Sequence, residues 1–295
     1  MSGIDLRFTE QLRDWALHNI DRGIPPAPLA RAMVAQGFDA RLAAALADTF
    51  WSMRARGAGI PASGFSSEQL ADAAYRHETP CFAGPNLRAV DGRTVRVAAR
   101  LAQPATAVLD NVLDPDECEQ LVALARPRLA PSTIVDPASG KDTMSMNRNS
   151  EGMFFRLEEN ALVARIDRRL STLMRLPVEQ GEGLQVLRYA VGAASAPHFD
   201  FLMPVNEANR QSIARSGQRV ATMVIYLNDV DEGGETVFPE AGFASAPRKG
   251  SAVYFEYCNR DGQLDPLSLH AGAAPASGEK WVLTKWMRQR RFVPG

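Results

Sequence analysis

Gly183-Leu-Gln-Val-Leu-Arg-Tyr189 is where the sequence changes character. From Leu184 to Tyr189 it becomes a short apolar run, and Val220–Leu227, Ser251–Tyr257 and Trp281–Met287 are runs of the same kind, rich in Val, Tyr, Phe, Trp and Thr. Gly/Pro/Asp segments separate them, and Gly233-Gly234 predicts a hairpin turn. Upstream of Gly183 the chain reads largely as helices. Helices first and antiparallel-type strands afterwards predict an α+β fold, and the strands can close into a two-sheet jelly roll, a double-stranded β-helix with supporting helices.

Working back from that run, Glu158–Met174 reads as a helix. Ala130–Glu151 is rich in Ser, Asp, Gly and Asn, and is expected to be a long loop with short strand pieces. Pro115–Arg126 is a helix, with Asp114 as N-cap and the acids Asp116 and Glu117 in its first turn. Thr94–Ala99 and Thr106–Leu109 read as strands. Thr79–Gly92, rich in Pro, Gly and Asn, reads as a linker. Before it, Leu6–Ile20, Leu29–Gln36, Asp39–Arg56 and Ser66–Ala74 carry helical spacing, broken at Pro25-Pro26. The expected organisation is a helical N-terminal region over 1–78, a linker and first strand over 79–104, and the main domain over 105–295. The helical region can be an appendage with its own small core.

The 295 residues suffice for one large domain, or one domain with an appendage, without disulfide staples. The net charge of −1 and pI near 6.5 give no basic excess, so neither nucleic acid nor a membrane surface is an expected partner. Cys81, Cys118 and Cys258 are odd in number, widely spaced and free of any CxxC, which suits a reducing compartment. Asp5, Arg7 and Glu10 stand where a signal peptide would carry a basic and then apolar segment. No stretch approaches the length of a membrane span. The expected location is cytoplasmic. The oligomeric state is open.

Only four histidines occur, His18, His77, His198 and His270, and the last two lie in the strand-rich half. In Ala196-Pro-His-Phe-Asp200, strand parity turns His198 and Asp200 to one side and Phe199 to the other. His270, the other histidine of that half, would complete a triad from a distant strand; the alternative for His198 and Asp200 is an ordinary surface or core hydrogen-bonded pair. Two histidines and one carboxylate on one face leave positions open, the arrangement of non-haem Fe(II) that binds a cosubstrate and O₂. Lys280 opens the apolar strand Lys280-Trp-Val-Leu-Thr-Lys-Trp286. Inside a barrel it needs an anionic partner, which a dicarboxylate would supply; otherwise it is a strand-end lysine reaching solvent. Lys285 has the opposite parity and reads as an exterior charge. The Tyr189 hydroxyl can donate to the same carboxylate, or Tyr189 is an ordinary core residue. A zinc hydrolase on the same three ligands would leave Lys280 without a role. A binding module with a vestigial site would not keep ligands and lysine intact.

Gly183–Tyr189, Pro197-His-Phe-Asp-Phe201, Ala221-Thr222, Gly233-Gly-Glu-Thr-Val-Phe-Pro239, Lys249-Gly-Ser-Ala-Val253 and His270-Ala-Gly followed by Lys280-Trp281 resemble the prolyl 4-hydroxylase family of 2-oxoglutarate/Fe(II)-dependent dioxygenases. The resemblance runs in order from about Ala105 to Phe292 and does not cover the N-terminal helices. It implies Fe(II) on His198, Asp200 and His270, with 2-oxoglutarate and O₂ as co-reactants and ascorbate as reductant. It implies that Lys280 pairs with a 2-oxoglutarate carboxylate, that Tyr189 assists, and that Thr222 lies beside the same pocket. It implies hydroxylation of a prolyl residue in a peptide or protein, with decarboxylation of 2-oxoglutarate to succinate. The same chemistry on a small molecule or free amino acid is the alternative. Arg148 in Arg148-Asn-Ser-Glu-Gly152 resembles a segment near the substrate, or is a loop arginine in a structural salt bridge. The 130–151 loop and the polar 203–217 insertion are candidate lids. Trp281 and Trp286 are expected in the core.

Overall fold

The computed structural model describes residues 6–131, 133–135, 142–144 and 150–295, of which 133–135 and 142–144 are described by backbone alone. A short strand β1 (Leu6–Arg7) leads into helices α1 (Glu10–Asp21), α2 (Pro26–Ala35) and α3 (Ala40–Ala55). Then β2 (Gly64–Phe65) pairs antiparallel with β1, and α4 (Ser67–Ala71) follows. Thr9, Asp39 and Ser66 cap α1, α3 and α4 by accepting backbone N–H bonds that the first turn leaves unpaired. The first helix therefore starts after Thr9. Leu6 and Arg7, expected within it, are instead paired with Phe65 and Gly64.

Next come β3 (Leu87–Val90), β4 (Arg93–Leu101), β5 (Thr106–Asp110), α5 (Pro115–Ala125) and β6 (Ala130–Pro131). The stretch expected as a linker thus contains β3, hydrogen-bonded to β4. Asp114 and Glu117 form a reciprocal capping box at the start of α5. β7 (Thr133–Val135) pairs with β8 (Asp142–Met144), and β9 (Ser150–Phe155) precedes α6 (Ala161–Met174). The remaining elements are β10 (Leu184–Tyr189), β11 (Ser195–His198), α7 (Glu207–Ser216), β12 (Arg219–Tyr226), β13 (Thr236–Phe238), β14 (Phe243–Ser245), β15 (Ala252–Glu256), β16 (His270–Gly272) and β17 (Lys280–Arg288).

A major antiparallel sheet runs β3-β4-β5-β15-β12-β17-β10-β9-β6, and a minor sheet runs β11-β16-β13-β14. This is the α+β jelly roll expected from the strand pattern. Strand parity sorts the core into two. Val186, Met223, Leu283 and Met287 face α5 and α6, together with Leu121, Ile166 and Leu170. Leu187, Tyr189, Val253, Phe255 and Val282 face the other way, into one continuous cluster with Phe238 of the minor sheet and with Ala16, Leu29, Leu46, Phe50 and Trp51 of the N-terminal helices. Those helices therefore share a core with the strands. Hydrogen bonds reinforce the join: Gln263 Nε2 donates to the carbonyls of Asp72 and Ala74, and Asn259 Nδ2 to that of Arg76.

Three local expectations change. Gly233-Gly234 is not a hairpin turn; it lies on the passage from β12 in the major sheet to β13 in the minor one. Gly233 is left-handed (φ +77°), and a Cβ there would meet the Ala274 carbonyl at 2.4 Å, so glycine is required by conformation and by close approach together. The 203–217 insertion holds the helix α7, capped by the Asn206 side chain. Its final carbonyls accept from Arg288 and Arg290, which anchor it to the end of β17. Lys285 has the predicted parity but is fully buried, because α6 covers that face, and it donates to Asp167 at 2.6 Å.

Candidate metal centre

The centre is built where the minor sheet meets the cavity between the sheets. β11 and β16 pair antiparallel, and His198 and His270 are direct partners across them, which brings two residues distant in sequence to a ring separation of 4.4 Å. β11 ends at His198, so Asp200 lies just past the ladder. Its carboxylate oxygens stand 3.6 Å from His198 Nε2 and 3.7 Å from His270 Nε2. One ligand atom from each residue lies within 4.8 Å of the others, and among the described residues this is the group of His, Cys, Asp and Glu able to hold a metal ion.

Both rings are oriented the same way. His198 Nδ1 is 2.9 Å from the Ala196 carbonyl and His270 Nδ1 is 3.0 Å from the Ser268 carbonyl. A carbonyl only accepts, so in each neutral ring Nδ1 carries the proton and Nε2 offers its lone pair towards Asp200. Asp200 is buried. Burial alone would raise its pKa, but His270, His198 and Arg219, with the Thr222 hydroxyl, outweigh it and hold the carboxylate at about 2. Once a metal displaces any proton on the two Nε2 atoms, the two imidazoles and the carboxylate form on one face a donor set that fits a divalent cation such as Fe(II).

Asp200 is held from behind. Thr222 Oγ1 donates to its Oδ2 at 2.7 Å and lies 3.0 Å from the Tyr257 hydroxyl. Arg219 Nη1 donates to the Asp200 carbonyl at 3.0 Å, while its guanidinium is bidentate to Glu182 and lies 4.3 Å over the Trp286 ring. Thr222 therefore stands on the Asp200 side of the centre. Arg219, Glu182 and Tyr257 were not singled out from sequence, since a buried ion pair between distant segments leaves no local pattern.

The cavity beside the ligands measures about 50 Å³. Tyr189 and Lys280, direct partners on β10 and β17, both line it. Lys280 is only 3% exposed, with its Nζ 5.2 Å from the Tyr189 ring and 5.9 Å from that of Tyr226. Burial lowers its pKa to about 8 against the opposing pull of Glu235, and among the described residues no carboxylate stands within ion-pair distance. A buried ammonium without an anion fits a dicarboxylate cosubstrate. Thr236, from the Gly233–Pro239 segment, also lines the cavity and was missed. Trp286 is buried, as expected, and also forms a wall of the cavity; its buried Nε1–H has no partner among the described residues. Arg148 lies outside the described residues.

Residues 184–288 match the model of the 2OG-Fe(II) oxygenase superfamily, a span that contains all three ligands and Lys280. Prolyl 4-hydroxylase 1 of Arabidopsis thaliana is 44% identical over 202 residues, covering 63% of this chain and 70% of its own length. Probable prolyl 4-hydroxylase 10 of the same plant is 39% identical over 209 residues, covering 64% of this chain and 71% of its own. The chain belongs to the prolyl 4-hydroxylase family. As a member it is an enzyme, a 2-oxoglutarate- and Fe(II)-dependent oxygenase. Among solved structures, a viral collagen prolyl hydroxylase from Paramecium bursaria Chlorella virus-1, in complex with 2-oxoglutarate, aligns with TM-score 0.48 and 26% identity over 62% of this chain and 95% of its own.

Proposed function

We propose that this chain hydroxylates a prolyl residue in a peptide or protein and converts 2-oxoglutarate to succinate and CO₂. One observation carries the reading: a three-ligand face and a buried Lys280, with no carboxylate at ion-pair distance among the described residues, share a single cavity. His198, Asp200 and His270 would hold Fe(II), which together with 2-oxoglutarate and O₂ supplies the oxidising chemistry for an unactivated C–H bond. The protein's own share is orientation and exclusion of water. Lys280 pairs with the distal carboxylate of 2-oxoglutarate and sets its register against the metal, with Tyr189 beside it. Thr222 and Arg219 hold Asp200 in place. Substrate approaches from the His198 side, where the imidazole is 37% exposed against 7% for His270. A prolyl residue as the target is supported by the relatives, which are named as prolyl 4-hydroxylases. Arg148 as a substrate contact and ascorbate as reductant belong to the same proposal. A cytoplasmic location is supported by three cysteines free of disulfides, and no helix among the described residues is long and apolar enough to cross a membrane.

The deciding experiment has two steps. Anaerobic Fe(II) plus 2-oxoglutarate should give a weak visible charge-transfer absorption, absent in His198→Ala and Asp200→Ala. With air, a proline-rich peptide should stimulate succinate release and gain the mass of one oxygen on a prolyl residue. Absorption with oxidation of free proline alone would move the substrate to the small-molecule class. No absorption and no succinate would end the oxygenase reading.

A further inference from the structure

The N-terminal region is anchored from within and then turned towards the metal ligands. Phe50 on α3 packs with Phe8 and Phe65, the three rings 4.7–4.8 Å apart, which ties the helix to the segments around β1 and β2. Arg54, one turn on, is bidentate to Asp21 of α1 at 2.7 Å. Helix α3 is thus fixed in position and azimuth. Trp51, next to Phe50 and only 3% exposed, reaches out of the helical region. Its ring lies 5.9 Å from Phe199 and 5.8 Å from Phe201, and those two rings stack on each other at 4.5 Å.

Phe199 and Phe201 alternate with His198 and Asp200. The two phenyl rings flank Asp200 in sequence and follow directly on His198, so a hold on the rings constrains the short backbone segment that carries both ligands. The hold matters most at Asp200, because β11 ends at His198 and no strand ladder fixes the backbone beyond it. The same aromatic contact continues to the carboxylate. Phe201 lies 6.0 Å from Tyr257, whose hydroxyl meets Thr222, which donates to Asp200. A second touch follows α3: a Cβ on Gly57 would stand 3.2 Å from Pro204 Cγ, so the turn after the helix closes directly on the segment after Asp200.

We infer that helix α3 is a structural part of the metal centre and that Trp51 is a positioning residue for His198 and Asp200. The inference rests on the metal-centre reading above. It assigns the N-terminal helices a task in metal binding, carried by aromatic packing on the back of the ligand segment.

The test uses the full chain and Co(II), whose d–d absorption reports both affinity and ligand geometry. Trp51→Ala should raise the Co(II) dissociation constant about tenfold or more, in the range found when groups supporting metal ligands are removed, and should change the shape of the d–d bands. Trp51→Phe, which keeps an aromatic face, should restore most of both. Leu29→Ala removes a buried side chain of the same helical region that lies off the Trp51 stack; it should lower the melting temperature and leave Co(II) affinity and spectrum as they were. Trp51→Leu is read by the same criteria if the alanine variant does not fold. Unchanged affinity and bands in the Trp51 variants, or an equal loss in Leu29→Ala, would overturn the inference. Failure of the unmodified chain to bind Co(II) would instead overturn the metal centre itself, and this inference with it.

Discussion

Burial holds the Lys280 ammonium near a pKa of 8, below the 10.5 of a lysine in water. A carboxylate of 2-oxoglutarate seated on it favours the charged form, so binding and protonation are linked. The dissociation constant of 2-oxoglutarate should be flat below about pH 8 and rise about tenfold per pH unit above it, as the empty site loses its proton. Calorimetry with a redox-inert metal in place of Fe(II) measures this. Folding stability moves the other way. Above the folded pKa the unfolded chain still binds the proton that the folded one has released, so the Lys280 contribution to stability rises with pH up to the unfolded value. Below pH 8 both states hold the proton and the full burial penalty remains. Lys280→Met should abolish the pH slope of binding and raise the 2-oxoglutarate dissociation constant roughly 10- to 100-fold, the weight of a charge-assisted bond. Metal affinity should stay as it was; a parallel loss of both would mean that the substitution disorders the cavity.

At the scale of the element, β17 shows how one strand serves two environments. Lys280, Val282, Thr284 and Trp286 line the cavity, while Lys285 points into the layer under α6. There Lys285 and Asp167 are both fully buried, and burial lowers the lysine pKa while Asp167 acts to raise it. Lys285→Met leaves the Asp167 carboxylate unpaired in the core and should cost about 3–5 kcal/mol in urea unfolding. Adding Asp167→Asn, which removes the charge but keeps an acceptor for the Glu158 N–H, should recover most of it. If the double variant is as unstable as the single one, packing and not charge is the cause. The parity of β17 was legible in the sequence, but which face another layer covers was not, because a lone strand does not record what packs on it. β10 was legible to the residue, since its apolar run starts directly after Gly183. β16 was not, being three residues of His-Ala-Gly whose pairing depends on β11. α7 was hidden because a polar helix carries no apolar stripe. The three ligands and Lys280 could be singled out because histidines are scarce and a lysine in an apolar strand needs a reason. The Arg219–Glu182 pair and the Tyr257–Thr222 contact join distant segments and have no such local mark.

At the scale of the whole molecule the question is whether the catalytic sheets stand without the helices before them. The apolar cluster behind the site draws Phe8, Ala16, Ile20, Leu29, Met33, Leu46, Phe50, Trp51 and Phe65 from the helical region and Leu187, Phe201, Phe238, Phe255 and Tyr257 from the sheets. Each large apolar side chain in such a cluster contributes about 1.5–3 kcal/mol by leaving water. A typical domain is stable by only about 5–15 kcal/mol in total, so uncovering several at once consumes the whole margin. A chain starting at Thr79 should therefore be insoluble, or soluble with lost near-ultraviolet circular dichroism, and should bind neither Co(II) nor 2-oxoglutarate. Size-exclusion chromatography and circular dichroism decide the first point, and metal titration the second. A soluble truncation that still turns over 2-oxoglutarate but no longer accepts a proline-rich peptide would make the helices a substrate-recognition appendage. The shared core argues against that outcome, because an appendage that merely recruits substrate has no need to place a tryptophan against the two phenylalanines that alternate with the metal ligands.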